Sequence, residues 1–240
     1  MLINLSIKIF RRIGEIFYNL PDLYLSKKQS KHVYAPTENT TEISYRNFHY
    51  DIKNIPGLMG DREGLALYLL SLLARKDGDI VEIGSWLGRS TVQLAKACQI
   101  NGNGKVHAID TFKGNPGKEH IYKKPLDTGE SMFDRFKKNI ESVGLSKYVV
   151  VHKGASESVR RKIGKIKVKL LFIDACHDYE AVKEDIKLWE GLLQKGGLIA
   201  LHDFGYGSEG CIKAVTEEII NSKNYKPVLL IDSLIVAEKI

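Results

Sequence analysis

The chain holds 240 residues, 43% of them hydrophobic and 27% charged, with 36 Lys and Arg against 29 Asp and Glu. A chain of this length buries about 70–75% of its unfolded surface, so it needs no disulfide or metal staple, and its aliphatic content excludes disorder as the main theme. Cys98, Cys176 and Cys211 form no CxxC pair, which argues against a thiolate zinc site and suits a reducing compartment. No apolar run reaches the ~20 residues that span a bilayer, and no signal-peptide pattern opens the chain, so the expected location is cytoplasmic.

The first elements are basic. Leu5, Ile9, Ile13, Ile16 and Leu20 recur at helical steps among Lys8, Arg11, Arg12 and Glu15, until Pro21 stops the pattern. An amphipathic helix over residues 1–20 suits packing on its own domain or on a second copy in a homo-oligomer; it also suits a peripheral contact with the inner face of a membrane. Residues 26–41 read as a polar linker. The expected division is therefore an N-terminal helix and linker or cap over 1–50 and one large domain over 51–240, with part of 44–62 (Tyr45, Arg46, His49, Tyr50, Met59) capping a site.

From residue 57 strands and helices alternate. Helices are expected at Glu63–Arg75, Arg89–Ile100, Met132–Val143, Glu157–Ile163, Tyr179–Leu193 and Cys211–Ser222. Strands are expected at Asp79–Gly84, Lys105–Asp110, Tyr148–His152, Val168–Asp174 and Leu198–His202. Near-continuous aliphatic strands between helices predict a parallel sheet covered on both faces. Tyr225–Ile231 and Leu234–Glu238 are joined only by Asp232 and Ser233, a link too short for a parallel crossover, so they form an antiparallel hairpin. The fold class is α/β, a doubly wound, mostly parallel seven-stranded sheet ending in that hairpin. The segment Lys113–Glu130 is long, polar and rich in Gly and Pro, as in a lid or a disordered loop.

The first strand runs into Val81-Glu-Ile-Gly-Ser-Trp-Leu-Gly-Arg-Ser90. Gly84 and Gly88 permit a tight turn close to a ligand, and Asp110 at the next strand end suits a ribose diol. The spacing is not the dinucleotide fingerprint; G-x-G-x-x-G occurs only at Gly205, Gly207 and Gly210, ahead of the hairpin, and no P-loop motif is present. On Glu82, Gly84, Gly88, Asp110 and the terminal hairpin, residues 55–240 resemble the class I S-adenosylmethionine-dependent methyltransferases, with their Rossmann-like fold. The resemblance implies a cofactor site for S-adenosyl-L-methionine made of Glu82, Gly84, Ser85, Gly88, Ser90, Asp110, Thr111, Phe112, Ala155, Ser156 and Asp174.

A second cluster lies further along the chain. Asp174 and Asp203 end neighbouring strands, with His177 three residues after the first and His202 beside the second, so two carboxylates and two imidazoles meet at one sheet edge. Such a set suits a divalent cation with a nearby general base. Asp178, Glu180, Glu184 and Asp185 read as solvated charges on a helix, and Trp189 as core. This stretch resembles the metal-dependent O-methyltransferases of the macrocin type, which act on sugar hydroxyls. That resemblance implies Mg2+ (or another divalent cation) held by Asp174, His202 and Asp203, with Asp174 and His177 catalytic, although His202 stands where an acidic residue is expected.

The expected function is thus O-methylation of a small-molecule or sugar acceptor. Two alternatives use other features: His177, His202 and one carboxylate form the ligand type of non-haem iron hydroxylases, to which cephalosporin hydroxylase-type proteins of this fold are similar; and the basic N-terminal helix would suit a membrane-recruited binding module. A nucleic-acid partner is disfavoured, because basic residues are not interleaved with aromatics along the strand ends and no base-methylation motif is present.

Overall fold

Long aliphatic runs set the architecture, since strands covered on both faces need apolar side chains on both. The computed structural model describes residues 52–74, 77–115, 117, 119–126, 129–205 and 208–240. The expected N-terminal helix and linker, the Tyr45–Tyr50 part of the expected cap and Gly207 lie outside these residues.

The strands are β1 (Asp79–Ile83), β2 (Val106–Asp110), β3 (Val149–Lys153), β4 (Val168–Ile173), β5 (Leu193–Leu201), β6 (Tyr225–Ile231) and β7 (Leu234–Lys239). They form one sheet in the order β3-β2-β1-β4-β5-β7-β6. All pairings are parallel except those of β7, which runs antiparallel to β5 and β6. The helices are α1 (Asp61–Leu73), α2 (Arg89–Asn101), α3 (Glu119–Lys123), α4 (Met132–Ser142), α5 (Ser156–Lys162), α6 (Tyr179–Trp189) and α7 (Glu209–Val215), the last widening into a π-type turn over Thr216–Ile220. The expected fold class is the one observed. No helix among the described residues is long and apolar enough to cross a membrane.

Two boundaries differ from expectation by more than two residues. The helix after β4 stops at Trp189, because Leu192 N–H bonds to Trp189 O (3.0 Å) and Leu193 N–H to Glu190 O (3.2 Å), closing a turn. Strand β5 then begins at Leu193, five residues early, and passes through Gly196 at φ +76°. Within Lys113–Glu130, the described part carries α3 and is tied to the strand ends: the Trp86 indole N–H donates to Tyr122 O (3.1 Å), and Asn115 Nδ2 donates to Ala175 O (3.4 Å).

The sheet positions the site by its winding order. From β1 the chain steps to β2 and β3 on one side and to β4 and β5 on the other, so the C-terminal ends of β1 and β4 flank a crevice. One packed side holds Trp189, Ile186 and Val182 of α6 against Leu171, Ile173 and Ile199, all buried, together with Ala214 and Val215 of α7.

Candidate active site

The crevice opens into a cavity of about 430 Å³, within the ~300–1,000 Å³ usual for small-molecule sites. Its floor is the turn after β1. Gly84 has φ +90°, and a Cβ there would lie 2.0 Å from the Asp174 carbonyl oxygen, so only glycine fits between β1 and β4. Beneath it, fully buried Glu82 accepts from the Ser85 hydroxyl (2.8 Å) and the Thr91 hydroxyl. Burial pushes the Glu82 carboxyl up to about 7, against the bonds from Ser90, Thr91 and Ser85. Its Oε1 has no hydrogen-bond partner among the described residues.

Asp110 closes the turn from the side. Its carboxylate accepts backbone N–H bonds from Ser85 (3.0 Å), Trp86 (2.7 Å) and Phe112 (2.6 Å). It also lines the cavity, along with Gly84, Ser85, Ser90, Thr111, Ala155, Ser156 and Asp174. Three of the expected cofactor residues do not. Phe112, at φ +55°, turns its ring away against Phe133 and Phe136, with centroids 5.1 Å apart in each case. Gly88 makes close contact between the turn and α4, since a Cβ would meet Phe136 and Ile140 at 3.1 Å. Glu82 is buried under the turn. These two shape the site from behind, and Phe112 contributes its backbone N–H to Asp110.

At the other flank Asp174, His177 and Asp203 each offer a ligand atom within 4.8 Å of the others. His177 Nε2 lies 2.9 Å from Asp203 Oδ2. Asp203 sits at φ +60°, the left-handed region that aspartate tolerates better than most residues. The third side of Asp203 is His202, which carries a role its position in the sequence did not announce. His202 Nδ1 lies 3.1 Å from Asp203 Oδ2 and 3.4 Å from Asp174 Oδ1, while Nε2 lies 3.1 Å from Glu63 Oε2.

A neutral imidazole has one N–H, so carboxylates facing both ring nitrogens favour the imidazolium. Burial opposes that charge, yet Asp174, Asp203 and Glu63 outweigh it and raise His202 to about 12. Glu63 is itself fixed: it accepts from Gly60 N–H (2.8 Å), Ser233 N–H (2.8 Å) and Ser233 Oγ–H (2.7 Å). Burial works against its ionisation, but the bonds from His202, Ser233 and Gly60 hold its pKa at about 2. Asp203 is likewise held below its usual range, the bonds from His177 and His202 overcoming burial, whereas Asp174 is raised by burial.

This geometry corrects the expected metal set. With both nitrogens on carboxylates, His202 has no lone pair to give a cation, so the Asp174, His202 and Asp203 triad does not form. Magnesium takes octahedral geometry and is commonly held by one or two carboxylates, with water completing its shell. The cluster offers two carboxylates, both within 3.4 Å of the His202 imidazolium, and one imidazole. A divalent cation there would face the His202 imidazolium across those same carboxylates, a like-charge repulsion that opposes its binding. The two-histidine set likewise includes His202, whose two ring nitrogens face carboxylates.

Asp185 overturns its expected place on a solvated face. Asp178, Glu180 and Glu184 are exposed, but Asp185 is 8% exposed and lines the cavity. Sequence reasoning also passed over Glu63, Trp86 and Tyr122. Glu63 carries a signal only in its position three residues past a helix start, where a Glu reaches back to the N-cap N–H. Pro56 to Met59 line the cavity, as the expected cap would.

The sheet order, the glycine turn with its acidic supports, and the terminal antiparallel strands define a class I methyltransferase fold. Residues 81–204, just over half of the chain, match a family model described as a methyltransferase domain. The chain belongs to that family and is a methyltransferase. Among solved structures it is similar to an O-methyltransferase from Bacillus cereus in complex with SAH, at 18% identity and TM-score 0.57, covering 86% of this chain and 94% of that one. It is also similar to an SAH-bound methyltransferase from Podospora anserina, at 15% identity and TM-score 0.56, covering 86% and 98%. A methyltransferase from Geobacter sulfurreducens matches at 14% identity and TM-score 0.55, covering 81% and 85%. At these identities the likeness establishes the shared fold.

Proposed function

We propose that the chain transfers the methyl group of S-adenosyl-L-methionine to a hydroxyl of a small molecule or sugar, with His177 as general base. The observation that carries this reading is the 2.9 Å contact of His177 Nε2 with Asp203, on the cavity wall beside Asp174. The SAH in the Bacillus cereus and Podospora anserina structures supports the choice of donor, and the first of these is an O-methyltransferase. We read the reaction as cytoplasmic and without a nucleic-acid acceptor.

The donor, when bound, supplies an electrophilic sulfonium methyl. The residues of this chain do the rest. Asp203 accepts the Nε2–H of His177 and so fixes the tautomer in which Nδ1 carries the lone pair. His177 Nδ1 takes the acceptor's hydroxyl proton as the oxygen bonds to the methyl carbon and the carbon–sulfur bond breaks. Asp203 then stabilises the imidazolium. The His202 imidazolium keeps Asp203 ionised for that task, because a fixed positive charge beside a carboxylate opposes its protonation. Gly84 and Asp110 hold the turn that aligns the donor, supplying orientation.

The test uses the full-length chain. Calorimetric titration is expected to show S-adenosylhomocysteine binding. A panel of free-hydroxyl glycosides and phenols with methyl-labelled donor is expected to yield a methyl ether. His177→Ala is expected to lower turnover by about 10²–10⁴-fold, with S-adenosylhomocysteine affinity little changed. No donor-product binding, or undiminished turnover in His177→Ala, overturns the reading.

A further inference from the structure

The positive charge of the chain is concentrated away from the crevice. Residues 147–169 carry eight Lys and Arg against Glu157 alone, an excess of seven that equals the net charge of the whole chain. This stretch runs from the turn before β3 to the start of β4. Every strand but β7 runs the same way, so the N-terminal ends of β1–β6 form one edge, opposite the crevice. The loops at that edge are knitted together. Asp79 N–H donates to Lys167 O (2.8 Å), Ile80 N–H to Lys105 O (2.8 Å) and Gln194 Nε2–H to Asp77 O (2.8 Å).

Lysines follow this edge from end to end. Lys147 precedes β3, Lys105 precedes β2, Lys165 and Lys167 precede β4, Lys195 lies near the start of β5, and Lys223 precedes β6. All six are exposed, and among the described residues none is in an ion pair. Strands β3 and β6 are six places apart, so the row spans roughly 29 Å at ~4.8 Å per strand. Exposed acids are fewer here: Asp77 accepts from Asn103 Nδ2 (3.2 Å), and Glu141 lies near the end of α4. Asp79 and Glu190 are engaged, the first by Lys105 N–H (2.8 Å) and His107 Nε2 (3.2 Å), the second by Tyr225 Oη–H (3.3 Å).

Aliphatic side chains stand among these charges. Leu73, 65% exposed, ends α1, and Leu72 O beside it accepts from Asn101 Nδ2 (3.1 Å) at the end of α2. Ile240, 59% exposed, donates its backbone N–H to Asn224 O (2.9 Å) next to Lys223, and exposed Ile220 closes the π-type turn just before that lysine. Aliphatics between lysines match the headgroup boundary of a bilayer, where the apolar groups enter the acyl region and the ammonium groups meet lipid phosphates. A nucleic acid would use the lysines alone and leave the aliphatics in water. We infer that this edge docks the protein on an anionic lipid surface, which leaves the cavity at the opposite edge open to solvent. The inference does not depend on the donor or acceptor proposed above.

The test is co-sedimentation of the full-length chain with vesicles of phosphatidylcholine alone or mixed equally with phosphatidylglycerol. Wild type is expected to bind the mixed vesicles only, and to release them at about 1 M salt, where screening is short-ranged. Replacing three edge lysines together (Lys165→Gln, Lys167→Gln, Lys195→Gln) is expected to weaken binding about 100-fold, at ~1 kcal/mol per lysine, with the melting temperature unchanged. Replacing three lysines near the cavity (Lys113→Gln, Lys123→Gln, Lys124→Gln) removes the same charge and is expected to change binding less than about fivefold. Leu73→Ser with Ile240→Ser keeps every lysine and is expected to weaken vesicle binding at least about fivefold. No binding by wild type, or equal loss in the two lysine variants, overturns the docking edge. Undiminished binding in the Leu73 and Ile240 variant, or a wild-type preference for a DNA duplex over the mixed vesicles at equal salt, overturns the lipid assignment.

Discussion

Glu63 and His202, 139 residues apart in the chain, meet through a 3.1 Å contact between side chains only 5% and 7% exposed. This pair joins the first helix to the end of β5, and it sets the charge beside Asp174 and Asp203. Glu63 holds one imidazole nitrogen from below, so that the other faces Asp203 and Asp174 from above.

Removing one partner of such a buried pair leaves the other charge uncompensated. Glu63→Ala is expected to cost about 3–5 kcal/mol of folding stability, measured by urea unfolding at neutral pH. A loss below about 1 kcal/mol would show that His202 is not held as a cation.

The same pair dictates a pH dependence. His202 is raised from 6.5 to about 12 in the folded protein by Asp174, Asp203 and Glu63, over the opposition of burial. A group with a raised folded pKa lends its stability fully below its unfolded pKa and loses it as pH climbs toward the folded value. The stability of wild type relative to His202→Gln should therefore be greatest below about pH 6.5 and shrink above it, by up to ~1.4 kcal/mol per unit. Glu63 works in the opposite sense, its contribution being whole above 4.5 and lost as pH falls toward about 2. A wild-type advantage that stays flat between about pH 6 and pH 9 would contradict the assignment.

Because the His202 imidazolium already faces both carboxylates, turnover should not need a divalent cation. Excess EDTA is expected to leave the rate of methyl transfer within about twofold, and Mg2+ or Mn2+ to give no activation. Water-proton relaxation with Mn2+ gives a readout independent of catalysis, expected to show no tight site at the cluster. Loss of activity in EDTA that is restored by Mg2+ would return Asp174 and Asp203 to the role of ligands.

Gly84→Ala would place a methyl group 2.0 Å from the Asp174 carbonyl oxygen at φ +90°. Neither backbone can yield without shifting a central strand. The expected loss is ~3 kcal/mol or more, with S-adenosylhomocysteine binding reduced as the turn opens. A variant as stable as wild type by thermal melting would mean that β1 and β4 separate more easily than their pairing implies.

Strand positions were legible because a strand covered on both faces must be aliphatic throughout, as at Val168–Ile173, and because a two-residue link at Asp232–Ser233 permits one geometry. The meeting of Asp174, His177 and Asp203 was legible for a related reason: residues that end neighbouring parallel strands share one edge. Helix ends were less so. Leu193 suits a helix and a strand alike, and only the turn at Glu190–Leu192 decided between them.

Where the candidate site residues lie was thus written locally, in the short segments directly after each strand. What those residues do was settled by partners far away in the chain. His202 could read as ligand or core until α1 brought Glu63 beneath it; Asp185 read as a surface charge until α6 rotated it toward Ser156; Phe112 read as a pocket wall until α4 drew its ring away. Hydrophobic periodicity is a property of neighbours in sequence, so it survives in a one-dimensional text. Protonation state and ligand-binding capacity depend on the charges and desolvation around a group, and these exist only once distant segments have packed together.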